Sequence, residues 1–176
     1  MALREIIEVP DPRLKVVSEP VTVFDEDLRT LVADMFETMY AAPGIGLAAI
    51  QVAVPLRVLV IDLQEPETED EDAEPVKDPR VFINPELFDP SDALNTYSEG
   101  CLSVPEIYVD IDRPAAIGVR WQDLAGTRHE ELIDGMLATC LQHEMDHLEG
   151  IVLLDYLSRL KRTMVLKKLE KLRSAA

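Results

Sequence analysis

A nine-residue stretch, QHEMDHLEG at 142–150, limits the fold more than any other feature, because it holds two of the three histidines in the chain. Within it, His143, Glu144 and His147 form the pattern H-E-x-x-H, which is typical of metal-binding helices in zinc peptidases. On a helix, the two histidines lie one turn apart on the same face, so their imidazoles can share one metal ion. Glu144 is rotated by only about 60° from His147, and it can therefore point into the same cleft without binding the metal.

Length and composition indicate one globular unit. The chain has 176 residues, and we expect residues 1–176 to form a single catalytic domain. Only two cysteines are present and no apolar export segment is visible, which favours a reducing cytoplasm without disulfides. The longest apolar runs are far too short to span a membrane. Because the net charge is −17, neither non-specific nor direct sequence-specific binding of nucleic acid by the acidic body is expected.

The order of the predicted elements favours an α+β fold, because helices and strands do not alternate as βαβ units. We expect mostly antiparallel strands packed around a central metal-binding helix, followed by a C-terminal helix. The predicted helices cover 25–41, 135–149 and 158–173, and the predicted strands cover 57–63, 81–84, 107–111, 116–122 and 128–133. Asp134 is expected to cap the second helix, and Gly150 is expected to end it.

Two segments have an unusual balance of charge. Residues 64–78 contain eight acids and one lysine, and we expect a solvated acidic surface loop there. Residues 159–173 contain seven basic residues and one acid, which predicts a basic C-terminal helix. The side chains expected on the apolar side of that helix are Leu160, Met164, Leu169 and Leu172.

A catalytic metal site has three protein ligands and one open position, so the H-E-x-x-H helix needs a third ligand. His129 lies among polar residues and is expected to be solvated. Peptidases of this type use a downstream glutamate, but Glu149 is too close along the helix and Glu170 belongs to the basic segment. Neither residue is therefore a good third ligand.

Two cysteines are the remaining candidates. Cys140 lies on the correct face of the helix, but its Cα is about 10 Å in axial rise from that of His147. It is better explained as a small buried residue that lines the site. Cys101 lies in EGCLS at 99–103, where Gly100 permits an unusual backbone that can present the thiolate. A thiolate with two imidazoles suits Fe(II), Zn, Co or Ni.

A glycine-containing segment, GIGLAAIQ at 44–51, is a second motif. It lacks the third glycine of a dinucleotide-binding fingerprint and follows a helix rather than a strand, so that function is rejected. Its glycines and alanines instead allow the backbone to approach another group closely. Gln51 ends the segment, and its amide could donate a hydrogen bond to an oxyanion, although an ordinary polar role is an alternative.

In this order, the segments GIGLAAIQ, EGCLS and QHEMDH resemble the corresponding motifs of the peptide deformylase family, in its bacterial type-1 form. The resemblance extends over nearly the whole chain. It implies a hydrolase that removes the N-formyl group from the N-terminal formylmethionine of newly made polypeptides and releases formate. It also implies one divalent metal ion, with Fe(II) as the native metal and zinc, nickel or cobalt as replacements.

The resemblance implies roles for individual residues. Cys101, His143 and His147 would bind the metal, which agrees with the spacing argument, and Glu144 would act as general base and acid. Metal-bound hydroxide would attack the formyl carbon, while Gln51 and the backbone N–H of Leu102 would donate to the oxyanion.

Further residues are assigned from their closeness to these motifs. Residues expected to bind the substrate are Ile45, Gly46, Tyr97, Gly100, Met136, Leu137, Thr139 and Cys140. For the pocket residues, ordinary core packing is an equal alternative. Glu99, Arg113 and Asp146 are expected to support the metal ligands, with a structural ion pair as the alternative.

The chain departs from many relatives at Tyr108, where they have a basic residue, so a charged contact with the substrate is in doubt there. The acidic loop also looks longer than in compact relatives.

Two other functions compete with the deformylase. A zinc endopeptidase lacks support because no third histidine or glutamate is well placed, and a non-catalytic binding protein lacks support because both motif sets are intact. The basic C-terminal helix resembles the helix by which bacterial deformylases dock on the ribosome. An ordinary packed and solvated helix is the alternative explanation.

Overall fold

The computed structural model describes residues 2–175 and contains three α-helices and seven strands within that range. The helices are α1 (Glu26–Ala41), α2 (Gly135–Leu148) and α3 (Arg159–Ser174). The strands are β1 (Gly46–Ala48), β2 (Val58–Ile61), β3 (Arg80–Phe88), β4 (Leu94–Cys101), β5 (Val104–Pro114), β6 (Ala116–Gln122) and β7 (Arg128–Asp134). Short 3-10 turns lie at Pro12–Lys15, Ala49–Val52 and Leu153–Tyr156.

The strands form two antiparallel sheets, which confirms the predicted fold class. Five strands pair in the order β1-β2-β3-β6-β7, and β4 pairs with β5 as a separate hairpin. Helix α2 contacts strands of both sheets. Its apolar residues Ala138, Leu141 and Leu148 pack in one cluster with Leu59 of β2 and Phe82 of β3. The predicted metal-binding helix is therefore central, as expected.

The first helix forms where its apolar spacing predicts. The Asp25 carboxylate accepts a hydrogen bond from the backbone N–H of Leu28 and caps the helix, because the first N–H groups of a helix have no internal partner. The side chains of α1 that are buried are Leu28, Leu31, Val32, Asp34, Met35, Thr38 and Met39.

The ends of α2 correct one prediction and support another. Asp134 occupies the cap position, but its side chain makes no capping hydrogen bond, so its expected capping role is wrong. Gly150 follows the helix with φ +73°, and a Cβ there would lie 2.4 Å from the carbonyl oxygen of Lys15. Glycine is therefore required at this position both for its backbone conformation and for its close contact.

Strand prediction failed where the sequence is polar or short. Strand β4 was not predicted, because its sequence LNTYSEGC lacks a run of apolar residues and only Glu99 in it is fully buried. Strand β1 has only three residues and lies inside the glycine segment. Strands β3 and β5 both extend beyond their predicted ends, because pairing with a neighbouring strand continues through polar positions.

The predicted apolar side of α3 is wrong. Leu169 is 1% exposed and packs with the partly buried Val165 and Leu166, whereas Leu160 and Met164 are 72% and 62% exposed. At 100° per residue, Leu169 lies about 180° around the helix from Leu160, so the two cannot share a face.

The segment at 64–78 contains no helix or strand and is largely exposed. Among residues 2–175, no helix is both long and apolar enough to cross a membrane.

Candidate metal centre

One thiol and two imidazoles meet between helix α2 and the β4–β5 hairpin. One ligand atom from each of Cys101, His143 and His147 lies within 4.8 Å of the other two. The Cys101 Sγ is 3.4 Å from the His147 Nε2, and the two imidazole ring centroids are 5.2 Å apart. The structure thus places together the three residues that sequence analysis selected as metal ligands.

The hairpin presents Cys101 from the end of a strand. Residues Gly100 and Tyr108 are paired, but the next pair is Cys101 with Val104, so the strand pairing shifts just before the thiol. A Cβ at Gly100 would lie 2.8 Å from the Tyr108 ring, so glycine lets that ring cover the strand. The irregular pairing at Cys101 turns its side chain toward helix α2.

A buried network of charges holds the hairpin against the helix. Glu99 accepts two hydrogen bonds from Arg113, at 2.7 and 2.9 Å, and lies 2.9 Å from the Nδ1 of His143. Arg113 also donates to Asp146 at 3.0 Å. Burial opposes ionisation of Glu99, but the hydrogen bonds from His143 and Arg113 hold its pKa below the ordinary value. Hydrogen bonding to Glu99 orients His143 so that its Nε2 faces the site.

Glu144 is buried beside His143. Its Oε1 is 4.0 Å from the Nε2 of His143, and its Oε2 is buried without a hydrogen-bond partner. Burial raises the pKa of Glu144 to about 7. A Cβ at Gly46 would lie 2.7 Å from Glu144 Oε1 and 2.9 Å from Cys140 Sγ, so the glycine segment makes the predicted close approach.

Gln51 lies in the turn Ala49–Val52 and is almost fully buried. Its Oε1 accepts a hydrogen bond from the N–H of Ala48, which fixes which way the amide points. Its Nε2 donates to Ser103 Oγ at 3.1 Å and lies 3.6 Å from Cys101 Sγ. The amide NH₂ group is therefore directed at the region of the thiol.

A cleft of about 500 Å³ opens above these groups. Its walls include most of the predicted site residues, namely Ile45, Gly46, Gln51, Tyr97, Glu99, Gly100, Cys101, Leu102, Met136, Thr139, Cys140, His143 and Glu144. His147, Arg113 and Asp146 do not line this cleft, and they border a separate small pocket that His143 also lines. Burial raises the pKa of the Cys140 thiol, which keeps that side chain neutral. Tyr108 also borders the cleft and is 72% exposed.

Leu137 is the predicted pocket residue that does not line the cleft. It packs against the apolar cluster between α2 and the larger sheet. Met136, Thr139, Cys140 and His143 share one side of α2, and Leu137 projects about 100° from Met136. Closeness in sequence therefore assigned it to the wrong side of the helix.

The donor set fits one metal ion. Neighbouring ligands of a tetrahedral ion with bonds of about 2.0–2.3 Å lie about 3.5 Å apart, which matches the distance between the Cys101 Sγ and the His147 Nε2. His129, the third histidine, is exposed, stacks on Trp121 and lies 2.7 Å from an Asp123 carboxylate oxygen, so it takes no part. Within residues 2–175, the Cys101–His143–His147 group is the only cluster of this kind.

Comparisons with known proteins decide the family. The family model described as polypeptide deformylase matches residues 3–163. The chain belongs to the polypeptide deformylase family. The peptide deformylase of Novosphingobium aromaticivorans is 66% identical over the full length of both chains. The peptide deformylase structure from Ehrlichia chaffeensis superposes with a TM-score of 0.88 at 44% identity, over 98% of this chain and 97% of that one. The Thermotoga maritima peptide deformylase gives a TM-score of 0.81 at 37% identity, over 90% and 99%.

Membership in the deformylase family establishes this chain as a hydrolase that removes the N-formyl group from nascent polypeptides. Together with the Cys/His/His arrangement, it supports a single bound metal ion.

Sequence analysis missed three residues around this deformylase site. Ser103 accepts the hydrogen bond from Gln51, and it directly follows the cysteine motif. Tyr156 donates to Asp146 at 2.5 Å and lies beneath Arg113, but no local pattern marks it. Asp62 is fully buried next to the cleft wall, and an acid inside the apolar run VLVIDL was the available signal.

Proposed function

We propose that this deformylase removes the formyl group from N-terminal formylmethionine by metal-dependent hydrolysis within a single catalytic domain formed by residues 1–176. The observation that carries the proposal is the cluster of Cys101, His143 and His147 at the cleft, with the buried Glu144 carboxylate, whose Oε2 has no partner, beside His143. The three ligands would hold one divalent ion, which when bound would polarise the formyl carbonyl and lower the pKa of a water molecule.

Glu144 is proposed to act as the general base and acid. Its Oε2 has no partner within the protein. A buried carboxylate oxygen without a hydrogen bond costs stability, and this cost points to a functional role. Glu144 would take a proton from the attacking water and return it to the leaving amine. Because it lies beside the ligand atoms but is not one of them, it remains free to exchange that proton.

Gln51 and the backbone N–H of Leu102 are proposed to donate hydrogen bonds to the oxyanion of the tetrahedral intermediate. The Gln51 amide is held by Ala48 and Ser103, so it is already oriented before the substrate binds. Leu102 follows Cys101 directly in the turn of the hairpin. Donors fixed in this way stabilise developing charge without reorganising during the reaction.

The apolar end of the cleft is proposed to hold the methionine side chain. Ile45, Tyr97, Met136, Thr139 and Cys140 supply its walls. A formyl group carries hydrogen where other acyl groups carry carbon, so a narrow site selects it by size.

Fe(II) is proposed as the native metal, with zinc, nickel or cobalt as replacements. One thiolate and two imidazoles form a soft donor set that all four ions accept, and resemblance to the family favours iron. Purification without oxygen, followed by metal analysis and measurement of formate release, tests this assignment directly.

The reaction is tested by formate release from formyl-Met-Ala-Ser, with casein as the competing substrate for an endopeptidase. Glu144→Ala should retain the metal and lose about 10²-fold or more in kcat. The matched control is Glu149→Gln, a change to an exposed carboxylate just beyond the same helix, and it should behave like the wild type. Casein cleavage without formate release, or a fully active Glu144→Ala variant, would contradict the proposal.

Actinonin offers a further test, because the Ehrlichia chaffeensis peptide deformylase has been crystallised in complex with it. We expect actinonin to compete with the formylated peptide for the cleft of this chain.

The basic side of α3 is proposed to dock on the ribosome in the bacterial cytoplasm, where formylated nascent chains emerge. Exposed lysines at 161, 167, 168 and 171 surround the exposed Leu160 and Met164, which leaves that side free of the domain. Ribosomal RNA is strongly anionic, so binding should weaken as salt concentration rises.

The docking test keeps the buried Leu169 in place and reverses the charge of three lysines. Replacement of Lys167, Lys168 and Lys171 by glutamate should abolish salt-sensitive cosedimentation with ribosomes without lowering formate release. An equal charge change at exposed arginines outside α3 is the control, at Arg29, Arg120 and Arg128. Equal losses in both variants would show only a general charge effect and would exclude docking through α3.

A further inference from the structure

Asp62 is a fully buried acid that the reaction does not use. Its carboxylate accepts hydrogen bonds from the backbone N–H groups of Gln64 and Asp78, at 3.0 and 3.1 Å, and from the Tyr40 hydroxyl at 2.5 Å. Within the described part of the chain, no lysine, arginine or histidine forms an ion pair with it. A buried carboxylate held only by backbone and hydroxyl donors fixes the backbone to which it bonds.

These bonds close the base of the acidic loop. Gln64 and Asp78 are the two ends of that loop, and one oxygen of Asp62 accepts from both. Lys77, next to the second end, lies 4.2 Å above the Tyr40 ring. We call Asp62, Tyr40, Gln64 and Asp78 the Asp62 clamp.

The Asp62 clamp is joined to one wall of the cleft. The N–H of Asp62 donates to the carbonyl of Ile45 at 2.9 Å, and the side-chain amide of Gln64 lies 3.3 Å from the carbonyl of Gly44. Both Gly44 and Ile45 line the cleft. The regular pairing of β1 with β2 begins only at Gly46 with Ile61, so these two residues lie beyond the sheet. They are held by the bonds to Asp62 and Gln64 and by a bond from the N–H of Gly44 to the Met39 carbonyl, at 2.9 Å.

We propose that Asp62 is a positioning residue for substrate binding, which acts through the clamp to hold the Gly44–Ile45 wall where the formylated peptide contacts it. This inference rests on the proposed function, because the wall matters only if the cleft holds the peptide. The metal ligands and Glu144 lie on β4 and α2, so the clamp does not touch the reacting atoms.

A wall that contacts the peptide outside the reacting bond binds the ground state and the transition state alike. Loss of such binding raises KM and leaves kcat nearly unchanged. General destabilisation would instead lower the amount of active enzyme without a selective change in KM.

The experiment measures formate release from formyl-Met-Ala-Ser over a range of peptide concentrations, with the metal-loaded enzyme. Asp62→Ala should raise KM about tenfold, with kcat within about twofold of the wild type. Asp62→Asn keeps one oxygen for the two backbone donors and should restore KM to within about threefold of the wild type. Tyr40→Phe removes one hydroxyl donor and should raise KM about threefold, which provides a second test if Asp62→Ala does not fold.

The matched control is Asp34→Ala. Asp34 is also a buried acid of this region, but it bonds the N–H of Ala2 and the Arg4 side chain, and neither residue lines the cleft. Its KM should stay within about twofold of the wild type.

An unchanged KM in both Asp62→Ala and Tyr40→Phe would overturn the proposal, as would an equal rise in KM in Asp34→Ala. Failure of the wild-type enzyme to release formate would refute the proposed function instead, so the two failures are distinguishable.

Discussion

Replacement of Gly46 by alanine tests whether close packing of the glycine segment sets the position of Glu144. The added Cβ would lie 2.7 Å from Glu144 Oε1 and 2.9 Å from Cys140 Sγ, and ordinary contacts begin near 3.4 Å. The carboxylate or β1 must therefore shift by a substantial fraction of an ångström. Since a misplacement of about 1 Å can cost about 10²-fold in rate, we expect kcat/KM for formate release to fall about tenfold or more.

The control for this prediction is Gly118→Ala. A Cβ at Gly118 would lie 2.4 Å from the Phe88 ring, so it is also overpacked, but it lies on β6 outside the cleft. Both variants should lose about 1–3 kcal/mol in the free energy of unfolding, measured with denaturant. Only Gly46→Ala should lose activity per folded, metal-loaded molecule. Full activity in Gly46→Ala would refute the reasoning, because it would show that Glu144 adapts freely to the intrusion.

Three further outcomes are expected. Glu99→Gln should weaken metal binding about 10–100-fold, measured by competition with a chelator, because Glu99 orients His143. Leu169→Ala should lower the free energy of unfolding by about 2–5 kcal/mol, whereas Leu160→Ala, on the exposed side, should change it by less than about 0.5 kcal/mol. Burial acts to raise the pKa of Asp155, but the hydrogen bonds from Lys15 and a backbone N–H, together with the nearby positive charges, lower it below 3.8. The ionised Asp155 therefore stabilises the folded protein above pH 3.8, and this stabilisation is lost as the pH falls through the lower pKa of the folded state. Asp155→Asn should lower the free energy of unfolding at pH 7 and leave it unchanged in strong acid.

Two of the metal-site residues could be predicted from sequence because a single helix fixes their relative position. The spacing of His143 and His147 on a helix determines their separation, whatever surrounds the helix. Cys101 was identified because the site needed a third ligand and the other candidates were badly placed. This elimination selected Cys101, which lies 42 positions before His143. It could not predict the distance between the thiol and the imidazoles.

Predictions failed where a position depends on a partner that is distant in sequence. Leu137 is as close to the motif as Met136, yet only the packing of α2 against the larger sheet decides which of them faces the cleft. Strand β4 is polar, and its conformation comes from pairing with β5 rather than from its own residues. Leu160 and Leu169 looked alike in sequence, because leucine content alone does not say which side of α3 the domain covers.

The distance between the thiol and the imidazoles depends on Arg113, whose chemistry suits this task in a way that lysine does not. Its Nε and one terminal nitrogen bind both oxygens of Glu99 on β4, while the other terminal nitrogen binds Asp146 on α2. A planar guanidinium thus sets the hairpin and the helix at a fixed separation, whereas a lysine ammonium would act as a single mobile point. Because Glu99 also bonds His143, movement of the hairpin would carry Cys101 and the support of His143 together. The ligand from the hairpin and the ligands from the helix are therefore linked through Arg113 and Glu99.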